Sequence, residues 1–182
     1  MGVTETDGLW IFAYGSLMWR PDFPFVSRAR ARLAGYHRSL CIVSNHWRGT
    51  PERPGLVLGL DRGGSCVGVA FEIAPDRQAA TLAAVRAREL IGGVYHELTV
   101  AVTLPDGSRR AALAYVADRQ HADYAGRLDR ASLLARVSGS VGVAGPNTDY
   151  VRNTYAHMRE LGLRDPDLAW VVEALGARDA AA

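Results

Sequence analysis

The 182-residue chain contains no lysine; all 21 of its basic residues are arginine. That absence excludes Schiff-base chemistry and a lysine general base. Cysteine is scarce as well. Cys41 and Cys66 stand far apart with no Cys-x-x-Cys pair, which argues against a redox motif or a thiolate metal site and fits two buried free thiols. Nowhere do about 18 uncharged apolar residues run together, so no membrane-spanning helix is expected. The opening residues Met1–Gly8 have neither the basic flank nor the apolar centre of a signal peptide, and a reducing cytoplasm is the expected location. Net charge is only +2, with arginines spread along the chain, so no nucleic-acid partner is expected. The five histidines make no His-x-x-x-His or Glu-x-x-His pair, and no phosphate-loop or dinucleotide glycine pattern occurs. Neither a metal nor a cofactor is expected.

What is present reads as an α+β protein in one domain spanning 1–182. Leu9–Tyr14 is a buried strand that stops at the turn pair Gly15–Ser16. The second half of Arg32–Ser44 is a strand, and Arg48–Pro54 is a loop. Leu56–Leu60 and Cys66–Ile73 read as a hairpin joined at Asp61–Gly64. A helix opens at Pro75–Asp76 and runs to about Leu90. Glu97–Leu104 and Arg110–Val116 form a hairpin across Pro105–Asp106–Gly107. Most of the remainder is helical: Asn147–Thr148 are placed to cap a helix ending near Gly162, and Asp165–Pro166 start another, with Ala180–Ala182 as a short tail. Strands first and helices last favour a small, mixed, mainly antiparallel β-barrel with packed helices.

Two places carry the chemistry. The turn after Tyr14 offers successive backbone N–H groups at a strand end, suited to a carboxylate or an oxyanion. Ser16 there lacks the flanking glycines of a nucleophile elbow, and a turn hydroxyl is its plainer role. Glu89 shares a helix face with Leu82 and Val85, while Arg77 and Arg88 project roughly opposite. A carboxylate on that inward face has its pKa raised by desolvation and suits proton transfer; an ordinary ion pair with Arg86 is the plainer alternative, and Glu97 is the rival carboxylate. Tyr150 begins a helix whose Val151, Tyr155 and Met158 form an apolar stripe. It either closes a pocket on substrate or packs with its hydroxyl satisfied. Trp19 and Trp47 are cavity lining or core.

Five ordered blocks carry a resemblance to a known family: Tyr14-Gly15-Ser16-Leu17-Met18-Trp19-Arg20-Pro21; His46–Val57; Gly64–Phe71; Arg88-Glu89 with Gly92-Gly93-Val94-Tyr95; and Gly142–Tyr150 with Leu161–Asp165. Together they resemble the ChaC family of γ-glutamylcyclotransferases, whose fold is a small mixed barrel with a central cavity. The resemblance implies a lyase-type enzyme that cyclises the γ-glutamyl unit of glutathione, giving 5-oxoproline and cysteinyl-glycine without a cofactor. Other γ-glutamyl peptides or amines, or a non-catalytic module binding such a metabolite, are the alternatives. Glu89 is then the acid–base residue, in preference to the Arg86 ion pair. Ala13, Tyr14, Gly15, Ser16, Leu17, Met18 and Tyr150 are the substrate-binding set. The expected partner is a small molecule acted on by a monomer.

Overall fold

Five strands carry the framework of the computed structural model, which describes residues 8–180. The reading of the N-terminal segment before Gly8, and of the last two alanines, lies outside the described residues. Strands β1 (Trp10–Ala13), β2 (Ser27–Ser44), β3 (Gly55–Glu72), β4 (Tyr95–Thr103) and β5 (Arg109–Ala117) close a barrel in the order β1-β3-β2-β4-β5. β1 runs antiparallel to β3 (Trp10 opposite Glu72) and parallel to β5 (Trp10 opposite Ala112), so the sheet is mixed. All four β1 residues are buried, as expected for a central strand covered on both faces.

The chain divides into two compact units, residues 1–38 with 60–118, and residues 39–59 with 119–182. The first unit holds β1, β4, β5, the outer halves of β2 and β3, and helix α1 (Gln78–Glu89), which follows a single 3₁₀ turn at Pro75–Arg77. Its core is built from Ile11, Phe12, Leu33, Leu60, Phe71, Val102, Ala114 and Tyr115. The second unit holds the inner halves of β2 and β3 and helices α2 (Arg130–Gly139), α3 (Asn147–Glu160) and α4 (Pro166–Asp179). These helices bury Leu134 and Val137, Val151, Thr154 and Met158, and Leu168, Val171 and Leu175, spacings of three and four that put each set on one face. A two-residue pair, β6 (Val141–Gly142) with β7 (Gly145–Pro146), leads into α3.

Several expectations are corrected. No hairpin forms at Asp61–Gly64. β3 passes through it as one 18-residue strand, and Gly63 and Gly64, at φ +103° and +67°, absorb the bend in an exposed stretch without reversing the chain. β2 likewise begins at Ser27, its first half alternating exposed arginines with more covered alanines. Asn147 does not cap α3. Its buried amide instead accepts from the Leu56 N–H (2.7 Å) and donates to the Leu56 carbonyl (2.7 Å), standing in for a neighbouring strand. On α3 Thr154, not Tyr155, takes the buried place between Val151 and Met158. The Pro105–Gly107 turn and the Asp165 cap are as read: Gly107 has φ +83°, and Asp165 Oδ1 accepts from the Leu168 N–H at 3.0 Å.

Gly68 on β3 is a close-approach glycine. A Cβ there would run into the Ala13 carbonyl oxygen and lie 2.9 Å from the Phe12 ring. Gly68→Ala is therefore expected to destabilise the fold by the roughly 1–3 kcal/mol typical of overpacking, seen as a lower midpoint of thermal unfolding, because backbone and not a flexible side chain must yield. An unchanged midpoint in a thermal melt would show that β1 shifts freely.

Candidate active site

The strand β1 delivers the chain into a tight 3₁₀ turn, Ser16–Met18. The turn's own bonds begin with the Met18 N–H to the Gly15 carbonyl (2.9 Å) and the Arg20 N–H to the Ser16 carbonyl (2.8 Å). The N–H groups of Gly15, Ser16 and Leu17 thus precede the first donor the turn satisfies, the usual condition at the start of a helical segment. Leu17 and Met18 are buried and root the turn in the core, while Gly15 and Ser16 stay half-exposed. A Cβ on Gly15 would meet nothing within 4 Å, so this edge of the turn faces open space.

Two arginines fix the turn, and sequence reading gave neither a place in the site. Arg38, on β2, is almost wholly buried. Its Nε donates to the Tyr14 carbonyl (2.5 Å) and its Nη2 to the Val67 carbonyl (2.9 Å). Because a trans peptide points its C=O and N–H in opposite directions, gripping the Tyr14 carbonyl also sets the direction of the Gly15 N–H. Arg88, read as projecting away from the glutamate, instead turns back. Its Nη2 donates to Ser16 Oγ (2.9 Å), and its Nη1 donates to the Arg20 carbonyl (2.8 Å) and Asp22 Oδ2 (2.7 Å). Its Nε lies 3.4 Å from Glu89 Oε1. Ser16 Oγ is thereby an acceptor for a guanidinium, with no base beside it in the manner of a nucleophile.

Glu89 closes α1 on the face shared with Thr81 and Val85, and its side chain is only 17% exposed. Burial pushes its carboxyl above the ordinary glutamate range, and the Arg88 charge pulls it part of the way back. The ion pair with Arg86 does not form. Arg86 takes Glu97 instead, in a two-pronged contact at 2.8 and 2.7 Å, and the Tyr115 hydroxyl donates to the same Glu97 carboxylate at 2.9 Å. Those bonds, the Arg86 contact first, hold Glu97 below the ordinary range. Burial, and then the bond to Glu97, push the Tyr115 phenol up, with a smaller push from the Glu89 charge. The two carboxyl groups are driven apart by their surroundings, Glu97 below the ordinary glutamate range and Glu89 above it. Sequence could have offered Tyr115 as a signal, since it sits directly opposite Glu97 in the β4–β5 register, but only once that register is known.

The structure therefore brings together Ala13, Tyr14, Gly15, Ser16, Leu17, Met18 and Glu89 in the first unit, linked through Arg88. Tyr150 belongs to the second unit. Its hydroxyl accepts from the Leu58 N–H at 3.1 Å, and the Arg48 guanidinium stands 5.4 Å from its ring centre. Arg48 also donates to the carbonyls of Ala144 (2.5 Å) and Pro146 (3.4 Å), which ties the His46–Pro54 loop to the β6–β7 turn. Trp47 fills no core; it is 62% exposed, its ring edge-on to His46. Trp19 is half-buried.

Residues 9–177 match the family of ChaC-like proteins. The chain belongs to that family. Over 160 residues it is 31% identical to the glutathione-specific γ-glutamylcyclotransferase of Escherichia coli strain K12, covering 88% of this chain and 69% of that protein. It is also 31% identical over 178 residues to the human glutathione-specific γ-glutamylcyclotransferase 1, covering 94% and 80%. A crystal structure of a yeast γ-glutamyl cyclotransferase specific to glutathione superimposes with a TM-score of 0.83 over 94% of this ChaC-like chain and 97% of that one; at 18% identity it speaks for the fold. The five sequence blocks of this ChaC-like protein sort by unit. The first, third and fourth meet around Arg38 and Arg88, and the second and fifth meet around Arg48 and Asn147.

Proposed function

We propose that this ChaC-like protein is a glutathione-specific γ-glutamylcyclotransferase in which Glu89 moves the proton and the Tyr14–Met18 turn holds the substrate. The observation that carries the assignment of roles is the largely buried, upward-shifted Glu89 carboxyl joined through one guanidinium to a turn whose first N–H groups precede its own bonded donors. Names of the E. coli and human relatives support the substrate.

The chemistry follows from the groups. Glu89 accepts a proton from the α-ammonium of the γ-glutamyl unit, and the freed amine attacks that unit's own γ-carbonyl. The turn's N–H groups stabilise the oxyanion as the five-membered ring closes. Glu89 then gives its proton to the cysteinyl nitrogen, the C–N bond breaks, and the second proton of the ring nitrogen passes by the same carboxylate to the departing amine, so that 5-oxoproline and cysteinyl-glycine, its amine now an ammonium, leave with no water consumed. An intramolecular attack asks mainly for correct folding of the substrate, and effective molarities of roughly 10⁵–10⁸ M for well-oriented cases make one acid–base residue sufficient. This reading carries a monomer working in a reducing cytoplasm; Cys41 and Cys66 are both buried. Among the described residues no helix is long and apolar enough to cross a membrane.

The test is the identity of the acid released from glutathione. 5-Oxoproline by mass supports the reading; free glutamate as the main product would mean hydrolysis and overturn it, and release of neither would favour a binding module. The turn has its own test. Gly15→Val adds a side chain where the protein leaves open space. It is expected to raise KM for glutathione several-fold while the thermal midpoint stays near wild type. A parallel loss of stability would assign Gly15 a purely structural role.

A further inference from the structure

We infer that Arg88 is the positioning residue of this site, a single guanidinium that sets the proton-transferring carboxyl of Glu89 in register with the substrate-binding turn. The inference rests on the function proposed above and adds a role to a residue that acts through its neighbours: it holds the Glu89 carboxyl and the Ser16 hydroxyl. All of its nitrogens are engaged. Nε stands 3.4 Å from Glu89 Oε1, Nη2 donates to Ser16 Oγ, and Nη1 is shared between the Arg20 carbonyl and Asp22 Oδ2. Ser16 opens the 3₁₀ turn, and Arg20 lies just past it with its own N–H bonded back to the Ser16 carbonyl, so holding both fixes the turn's place. Glu89 neighbours Arg88 on the last turn of α1, which makes the link between base and turn a rigid one. Only a planar fork spans acceptors in three directions at once; an ammonium at the end of a flexible stem does not.

Arg88 also acts electrostatically, and the surroundings of Glu89 make that readable. Tyr115 on β5 feels the Glu89 charge, but its phenol is pushed up by burial and by its bond to Glu97, and it stays protonated near neutral pH. Glu97 on β4 is held below the ordinary range by Arg86 and stays ionised there. Asp22, on the loop after the turn, is ion-paired to Arg88 itself at 2.7 Å. Arg88 is the cation beside Glu89 that lowers its pKa against the desolvation that raises it.

The experiment compares kcat and KM for glutathione between pH 5 and 9, with thermal midpoints, in wild type, Arg88→Gln and Arg88→Lys. In Arg88→Gln the acidic limb of kcat/KM is expected to move to higher pH, and KM to rise roughly tenfold or more, the scale of one lost charge-assisted hydrogen bond. In Arg88→Lys the limb is expected to stay near wild type, because the charge remains, while KM still rises. An unmoved limb in Arg88→Gln, identical behaviour of the two variants, or a fall in thermal midpoint alone would overturn the inference. Should Arg88→Gln fail to fold, Asp22→Asn takes its place: loosening the far hold on the guanidinium is expected to raise KM with the limb in place, and wild-type KM in both Asp22→Asn and Arg88→Lys would overturn it. Failure of the functional reading looks different, since the wild type itself would then release no 5-oxoproline.

Discussion

Glu89→Gln is expected to bind glutathione and to release 5-oxoproline about 10²–10⁴-fold more slowly than wild type, the usual contribution of acid–base catalysis. Glutamine keeps the size and hydrogen-bonding reach of the side chain but cannot cycle a proton. The same substitution is expected to make the protein more stable at neutral pH. Burial raises the folded-state pKa of Glu89 above that of the unfolded chain, so the folded state binds the extra proton and loses stability as pH rises through that window. A neutral amide at this position lacks the penalty. The gap between the thermal midpoints of variant and wild type should therefore be open at pH 7 and above, and close as pH falls through the ordinary glutamate range. Calorimetry on both proteins at pH 4 and pH 7.5, beside a 5-oxoproline assay, checks both halves. Near-wild-type turnover in Glu89→Gln would remove Glu89 from the mechanism. Glu97, already paired with Arg86 and Tyr115, would then need to be freed before it could serve.

N-Acetyl-glutathione is expected to give no 5-oxoproline at all. The attacking nucleophile is the α-amine, and acylation removes both its lone-pair reactivity and the proton that Glu89 takes. S-Methyl-glutathione keeps the amine and alters only the thiol, which makes and breaks no bond, so it should still cyclise wherever the pocket admits the methyl group. Mass analysis of the released acid from the two compounds reads this directly. Cyclised product from the N-acetyl compound would rule out amine attack.

Glu89 was legible because its signal is local: a carboxylate on the Leu82–Val85 face of a short helix, just ahead of two glycines at φ +86° and +71°. The turn at Tyr14–Leu17 was legible for the same reason, a buried strand halted by Gly15–Ser16. The glycine pair Gly63–Gly64 within β3 misled, because it carries the same turn chemistry whether the chain reverses or runs on, and the outcome is decided by strand partners distant in sequence. Arg38 and Arg88 were illegible in the site for a related reason. An arginine's destination depends on which carbonyls the fold leaves within reach of a long side chain, and neither Tyr14 nor Ser16 is near those arginines in the chain, lying 24 and 72 residues away. Glu97 is the instructive rival: as residue types the two glutamates are equal, and what separates their surroundings is the Arg86 fork and the Tyr115 hydroxyl on Glu97 against the burial of Glu89.

The interleaving of the two units bears on how the protein is made. Residues 39–59 belong with residues beyond 119, and the bonds that tie them run from Leu56 to Asn147 and from Leu58 to Tyr150, over 91 and 92 residues. At a synthesis rate of ~5–20 residues per second, the inner halves of β2 and β3 wait roughly 5–20 s after leaving the ribosome before Asn147 and Tyr150 exist to receive them. Throughout that interval the Leu56 and Leu58 backbone groups lack their α3 partners, and the residues Leu40, Ile42, Leu56 and Leu58, buried in the finished fold, lack the later part of their unit. The nascent chain is thus exposed to aggregation at residues 39–59 while the segment up to Asn147 is being made, and a chaperone engaging that stretch would act before the second unit can close.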